Sequence, residues 1–254
     1  MKHIDINSDV GESFGAYKMG DDENVFGKIS SANIACGFHG GDSMVMRQSV
    51  ERAKKLGINV GAHPGLPDLV GFGRRKMDIT LNEAKNYVIH QIGAIWAFCQ
   101  AVKIELKHVK IHGALSGSMA AKDEKMAQAV IEGILEVNDK LILYCRPNTA
   151  LSSVAEKLGL RQLDDFPVDR QFNSDNSPVN RRLPGAVIED VDEVIKRTVR
   201  LIREGTLDTY DGKVLKLSPQ SICVHGDNPN AINLLAALHD ALKKEGIEVK
   251  PYAP

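Results

Sequence analysis

Four histidines in this chain share one setting. Each follows an apolar, strand-like run and precedes glycine or proline-glycine: His39 before Gly40-Gly41, His63 before Pro64-Gly65, His112 before Gly113 and His225 before Gly226. An imidazole changes charge near neutrality, so it can move protons or ligate a metal ion. Glycine beside it permits positive φ and close approach of a ligand to the backbone. Strands that end on such residues are how α/β enzymes present chemistry at one mouth of a sheet. Any one of these histidines is as readily a hydrogen-bonded core residue, but four in the same setting point to an enzyme. His3, His90, His108 and His239 lack the setting and read as structural.

Carboxylates and cations accompany them. Asp5, Asn7 and Asp9 alternate with Ile4, Ile6 and Val10, so the polar three share one strand face. Burying that face costs desolvation unless its groups find partners. It suits a wet barrel interior or a metal site, with Glu12 just beyond; an exposed edge strand is the alternative. Lys110 shares a strand face with His112 and can hold an anionic oxygen. Asp169-Arg170 follows Phe166-Pro167-Val168 and reads as an acid/base with its orienting cation, or as a plain ion pair. Asp42, after His39, stands where a helix N-cap belongs. Arg74 lies in the aromatic-basic run Gly71-Phe72-Gly73-Arg74-Arg75, and Asp227 follows His225 by two.

The elements that must position these residues alternate along the chain. Strands are predicted at 3–8, 31–36, 59–62, 108–111, 140–144, 161–166, 186–188, 221–224 and 248–250. Helices are predicted at 43–56, 81–102, 124–137, 150–158, 191–204 and 230–245. Such alternation gives a parallel sheet covered by helices. No linker or repeat divides the 254 residues, so a single domain is expected. Polar stretches at 11–28, 65–76 and 172–184 read as functional loops. A net charge of -1 without a basic stripe argues against nucleic acid, and no apolar run approaches a membrane span. The N-terminus has no signal-peptide core, so a cytoplasmic location is expected. Cys36, Cys99, Cys145 and Cys223 form no metal-binding pair and read as buried free thiols. Neither a P-loop nor a serine nucleophile elbow is present.

In this order the motifs resemble the LamB/YcsF family. The matching segments are 5–15, 19–22, 31–39, 61–65, 71–75, 112–115, 169–170, 184–187 and 223–227. Ile111 and Ser116 stand where the family usually has proline and tyrosine. The resemblance implies a single-domain distorted (β/α) barrel like those of glycoside hydrolases and polysaccharide deacetylases. It also implies ATP-dependent opening of 5-oxoproline to L-glutamate, together with 5-oxoprolinase subunits B and C. On that basis Asp5, His39, His63, Lys110, His112, Asp169 and His225 are candidate catalytic residues. Asn7, Glu12, Arg74, Arg170 and Asp227 are candidate substrate contacts. Asp5, His39 and His63 are the candidate ligands should a divalent metal bind. The alternatives are a metal-dependent deacetylase or amidohydrolase acting without ATP, and a non-catalytic pyroglutamate-binding subunit.

Overall fold

The computed structural model describes residues 2–226, 228 and 230–252. Its barrel strands are β1 (Lys2–Val10), β2 (Ser31–Ala35), β3 (Asn59–His63), β4 (Leu106–Lys110), β5 (Ile142–Cys145), β6 (Gln162–Pro167) and, after a hairpin of β7 (Thr206–Asp208) and β8 (Val214–Lys216), β9 (Ser221–Cys223). The barrel strands are all parallel, and β1 pairs with both β2 and β9, which closes the ring. Strand β10 (Ile247–Val249) adds beside the first residues of β1. The expected (β/α) barrel is thus present, with seven strands in its ring.

Helices α1 (Asp22–Val25), α2 (Ser43–Leu56), α3 (Leu81–Val102), α4 (Glu124–Val137), α5 (Ala150–Lys157), α6 (Val191–Glu204) and α7 (Ala231–Lys244) fill the connections. Local chemistry sets their ends. The Asp42 carboxylate accepts from the N–H groups of Met44 and Val45 at 2.9 Å, which starts α2. The helix stops on Gly57, whose φ of 69° is left-handed. Thr80 and Glu83 form a capping box on α3. Along α4, Met126, Ala127, Val130, Ile131 and Ile134 make the buried stripe, and each large side chain there contributes about 1.5–3 kcal/mol by burial.

Strand alternation sorts the two sides of the barrel wall. Ile4, Ile6, Ile34, Val109 and Ile222 join the apolar core, whereas Asp5, Asn7, Asn33, His108, Asp165 and Ser221 are buried and polar and meet one another through hydrogen bonds inside the ring. Gly61 makes room for this interior: a Cβ there would lie 2.1 Å from His108 Nε2. Parallel strands put every C-terminal end at one mouth.

Three local expectations need correction. Residues 186–188 form no strand; Val187 makes one isolated bridge to Arg170, because the flanking loop has no neighbouring strand to extend the pairing. The β7–β8 hairpin is absent from the predicted elements, since its short segments are half exposed and weakly alternating. The short helix α1 lies inside the stretch read as loop. No helix among the described residues is long and apolar enough to cross a membrane.

Candidate active site

The strand ends deliver the charged residues in layers. Asp5, Asn7 and Asp9 all face inward on β1, but at different depths. Asp5 lies about 13 Å back along the strand from Asp9, at ~3.3 Å per residue, and so deeper in the barrel. Its Oδ1 accepts from Ser30 and Ser31 Oγ at 2.6 and 2.8 Å, and its Oδ2 from Ser221 Oγ at 2.6 Å. Burial pushes this carboxyl above its ordinary value, partly offset by those hydroxyls. Asn7 occupies the next layer, donating to Asp165 Oδ1 at 2.6 Å and Ser221 Oγ at 2.8 Å. Asp9 reaches the mouth, where Asn33 Nδ2 donates to its Oδ1 at 2.8 Å.

Lys110, at the end of β4, points into the same interior. Its Nζ donates to Asn7 Oδ1 at 2.9 Å and pairs with Asp165 Oδ2 at 3.2 Å and Asp9 Oδ1 at 3.3 Å. Burial opposes its charge, but Asp165 and Asp9 outweigh burial and hold Lys110 well above the usual lysine value. Burial would likewise raise Asp9, yet His63 and Lys110 leave it well below the carboxylate range. Lys110 is therefore a fixed interior cation bonded to protein groups.

Above this floor, Glu12, His39, His63 and His112 converge. His63 Nδ1 lies 2.7 Å from the Lys110 carbonyl oxygen, and its Nε2 lies 3.3 Å from Asp9 Oδ2. His112 Nε2 is 2.8 Å from the Phe72 carbonyl oxygen, while its Nδ1 faces His63 Nε2 at 3.0 Å. His39 stacks on His112 with centroids 3.7 Å apart, and its Nε2 lies 3.4 Å from Glu12 Oε1. All four side chains are buried, and this cluster could hold a metal ion. The expected ligand set differs: Asp5 is too deep in the barrel, whereas Glu12 and His112 stand with His39 and His63.

The 65–76 loop roofs the cluster. Phe72 adopts a positive φ of 54°, which turns its carbonyl onto His112. Gly73 is needed beside it, because a Cβ would come within 2.7 Å of His39 Cβ. Arg74 stacks over the Phe72 ring at 4.7 Å, and Arg75 is anchored to Asp68. A cavity of about 810 Å³ opens beside the roof, lined in part by Asp9, His63, Lys110, Arg74, Ser116 and His225. Ser116 thus borders the space where the family pattern would place a larger tyrosine.

Two residues after β6, Asp169 Oδ1 accepts from His225 Nδ1 at 2.8 Å, and Asn228 Nδ2 donates to Oδ2 at 3.3 Å. Burial would raise Asp169, but His225 and Asn228 outweigh it and lower the carboxyl. A proton on His225 Nδ1 leaves Nε2 as the basic nitrogen. Arg170 donates to the backbone oxygens of Ala186 and Val179 at 3.2 and 2.7 Å, so it braces the 172–186 segment at the cavity wall. Asp227 lies outside the described residues. The four cysteines are buried and unbridged, and burial pushes Cys36 up to about 12.

Asp165, Asn33 and Phe72 join the site without standing out in the sequence. Asp165 beside Phe166 and Asn33 between Ala32 and Ile34 are polar positions inside apolar strand-like runs, the one signal the sequence offered. Phe72 acts through its backbone, which no side-chain pattern reveals.

The floor also carries a pH liability. His108 Nε2 bonds Asn33 Oδ1 at 2.8 Å, and its ring stacks on Tyr144 at 4.2 Å. Burial, reinforced by Lys110, lowers His108 from 6.5 to about 3. The unfolded chain therefore takes up this proton first as pH falls. The stabilisation is complete above pH ~6.5 and is lost progressively toward pH ~3, by about 2 kcal/mol between pH 7 and 5. Urea unfolding at those two pH values should show a smaller pH effect in His108→Gln than in the parent. Equal slopes would exclude His108 as a source.

Comparison with known proteins agrees with this architecture. The LamB/YcsF family profile matches residues 4–254. A relative from Pyrococcus abyssi, named as the A subunit of 5-oxoprolinase, is 48% identical over 248 residues, covering 98% of this chain and 97% of the relative. One of the same name from Alkaliphilus metalliredigens is 47% identical over 249 residues, with 98% and 97% covered. The crystal structure of a lactam utilization protein from Thermus thermophilus superposes with a TM-score of 0.93 at 39% identity, covering 99% of this chain and 100% of that one. The catalytic domain of a peptidoglycan N-acetylglucosamine deacetylase from Eubacterium rectale shares the fold at a TM-score of 0.52 and 11% identity, with 99% and 89% covered. From its sequence match and its barrel alike, the chain belongs to the LamB/YcsF family.

Proposed function

We propose that the chain is the lactam-opening component of a 5-oxoprolinase, which hydrolyses 5-oxo-L-proline to L-glutamate with ATP and partner subunits B and C. The observation that carries this is the convergence of buried Glu12, His39, His63 and His112 beside an ~810 Å³ cavity that Asp9 and His225 also line. The names borne by relatives 45–48% identical supply the substrate class.

A lactam resists water because its C–N bond has partial double-bond character. Transfer of the ATP γ-phosphoryl group to the lactam oxygen, with ADP leaving, removes that resonance and makes the ring carbon electrophilic. Water then adds to this carbon, the ring C–N bond breaks with its electron pair on nitrogen, which takes a proton, and a second water cleaves the resulting γ-glutamyl phosphate to L-glutamate and inorganic phosphate. His225, oriented by Asp169, is placed to accept the water's proton at Nε2 and return it to the departing nitrogen. Arg74 at the cavity wall supplies positive charge for the substrate carboxylate or the phosphate. A divalent ion at the Glu12, His39, His63 and His112 cluster would polarise the attacking water. ATP enters this reading as the co-substrate of the assembly with subunits B and C.

The test is a 5-oxoproline-dependent ATP hydrolysis and glutamate-release assay, with the partner subunits and with or without this chain. Glutamate release coupled to ATP only when the chain is present is expected. Coupling that persists without the chain, or ATP-free hydrolysis of N-acetyl sugars by the isolated chain, would overturn the proposal.

A further inference from the structure

We infer that the barrel mouth is built to bind one divalent first-row transition ion, with His63 Nε2, His112 Nδ1, Glu12 and His39 as its donors; this deepens the lactam-opening role proposed above. Two backbone carbonyls decide the question. His63 Nδ1 and His112 Nε2 lie 2.7 and 2.8 Å from the carbonyl oxygens of Lys110 and Phe72. A carbonyl oxygen can only accept, so each of these nitrogens carries the ring's hydrogen. The nitrogens left over, His63 Nε2 and His112 Nδ1, then carry lone pairs in the neutral rings. Those lone pairs face each other at 3.0 Å.

The surroundings add more electron density. Asp9 Oδ2 lies 3.3 Å from His63 Nε2, and Glu12 Oε1 lies 4.0 Å from His112 Nδ1. His39 is fully buried, and neither of its ring nitrogens has a hydrogen-bond partner. Its Nε2 is 3.4 Å from Glu12 Oε1. One bridging proton would reconcile His63 with His112 but would leave His39 unsatisfied. A divalent ion reconciles all of them, since one donor atom from each of the four side chains lies within 4.8 Å of the others. The two carbonyl contacts are then the outer hydrogen bonds that orient metal-binding imidazoles. Three imidazoles and one carboxylate, without thiolate, suit zinc, cobalt, iron or manganese over calcium or magnesium. Asp5 is excluded because three serine hydroxyls occupy its oxygens deep in the barrel.

The full chain, stripped with a chelator, should be titrated with Zn²⁺ by calorimetry and with Co²⁺ by visible absorption. The expected result is one ion per chain, with Co²⁺ bands of nitrogen and oxygen ligation. His63→Ala and, as a gentler second variant, Glu12→Gln should each weaken binding at least about tenfold, whereas Asp5→Asn should bind as the parent does. The inference is overturned if the parent binds no ion, if both mouth variants bind normally, or if ¹⁵N shifts show an imidazolium shared by His63 and His112 that metal does not displace. Ion binding without glutamate release in the partnered assay would leave this site standing and remove the lactam role. Glutamate release by the ion-free chain would do the reverse.

Discussion

Lys110→Met will lower the unfolding free energy by about 3–5 kcal/mol, read by urea denaturation at neutral pH. Methionine matches the lysine stem in volume, so the change removes charge rather than packing. What remains is Asp9 and Asp165, both buried and both facing the vacated position. Asn7 Oδ1 also loses a donor, although Asn33 Nδ2 still reaches it at 2.7 Å. The cost comes from leaving carboxylates without their counter-charge in a low-dielectric interior, which exceeds the net worth of the ion pair itself. Adding Asp9→Asn should recover part of the loss, because one stranded charge disappears with it. A single-variant loss below about 1 kcal/mol, the range of exposed ion pairs, would show that water reaches this floor. The sequence reading put Lys110 on a strand face with His112; in the structure β4 ends at Lys110, His112 lies two residues beyond it, and the ammonium is engaged by three interior acceptors. Its part in the site is to hold Asp9 charged and in place.

Asp169→Asn will cut coupled glutamate release by roughly 10²–10⁴-fold, the range of a lost general base. The carboxylate can only accept, so it keeps the proton on His225 Nδ1 at 2.8 Å. An asparagine amide can donate to that nitrogen instead. The imidazole would then carry its proton on Nε2 and lose its basic lone pair, with little change in packing. The acid limb of the kcat/KM profile, which reports the base of the free enzyme, should change with it. Asp169→Glu keeps the acceptor chemistry and should retain more activity than the asparagine variant. A loss smaller than about tenfold with an unchanged pH profile would assign the Asp169–His225 pair to structure alone.

Much of the fold was legible because its rules are local. The Thr80–Glu83 capping box and the glycine after residue 56 each depend on a few neighbouring residues, and both sit where the pattern placed them. Alternation put Asp5, Asn7 and Asp9 on one face of β1, and that face is the interior of the barrel. The hairpin at 206–216 escaped because its strands are three residues long and half exposed, too short for a period to register.

The site divides along the same line. The sequence by itself determined that His39, His63, His112 and His225 lie at or just beyond strand ends (only His63 falls within a strand, with the others two to four residues past one), and that parallel strands would gather them at one mouth. It could not set their depth or their partners. Asp5 and Asp9 have the same chemistry and the same face, yet one meets serine hydroxyls deep in the barrel and the other meets His63 at the rim. Closing β1 onto β9 sets that difference, because the register of the ring fixes which residues share a layer. The opposed lone pairs of His63 and His112 arise later still, from two carbonyl oxygens contributed by a neighbouring strand end and by the turned backbone of Phe72. Local pattern chose the residue types, and only closure of the barrel and the fold of one loop decided which atoms face each other.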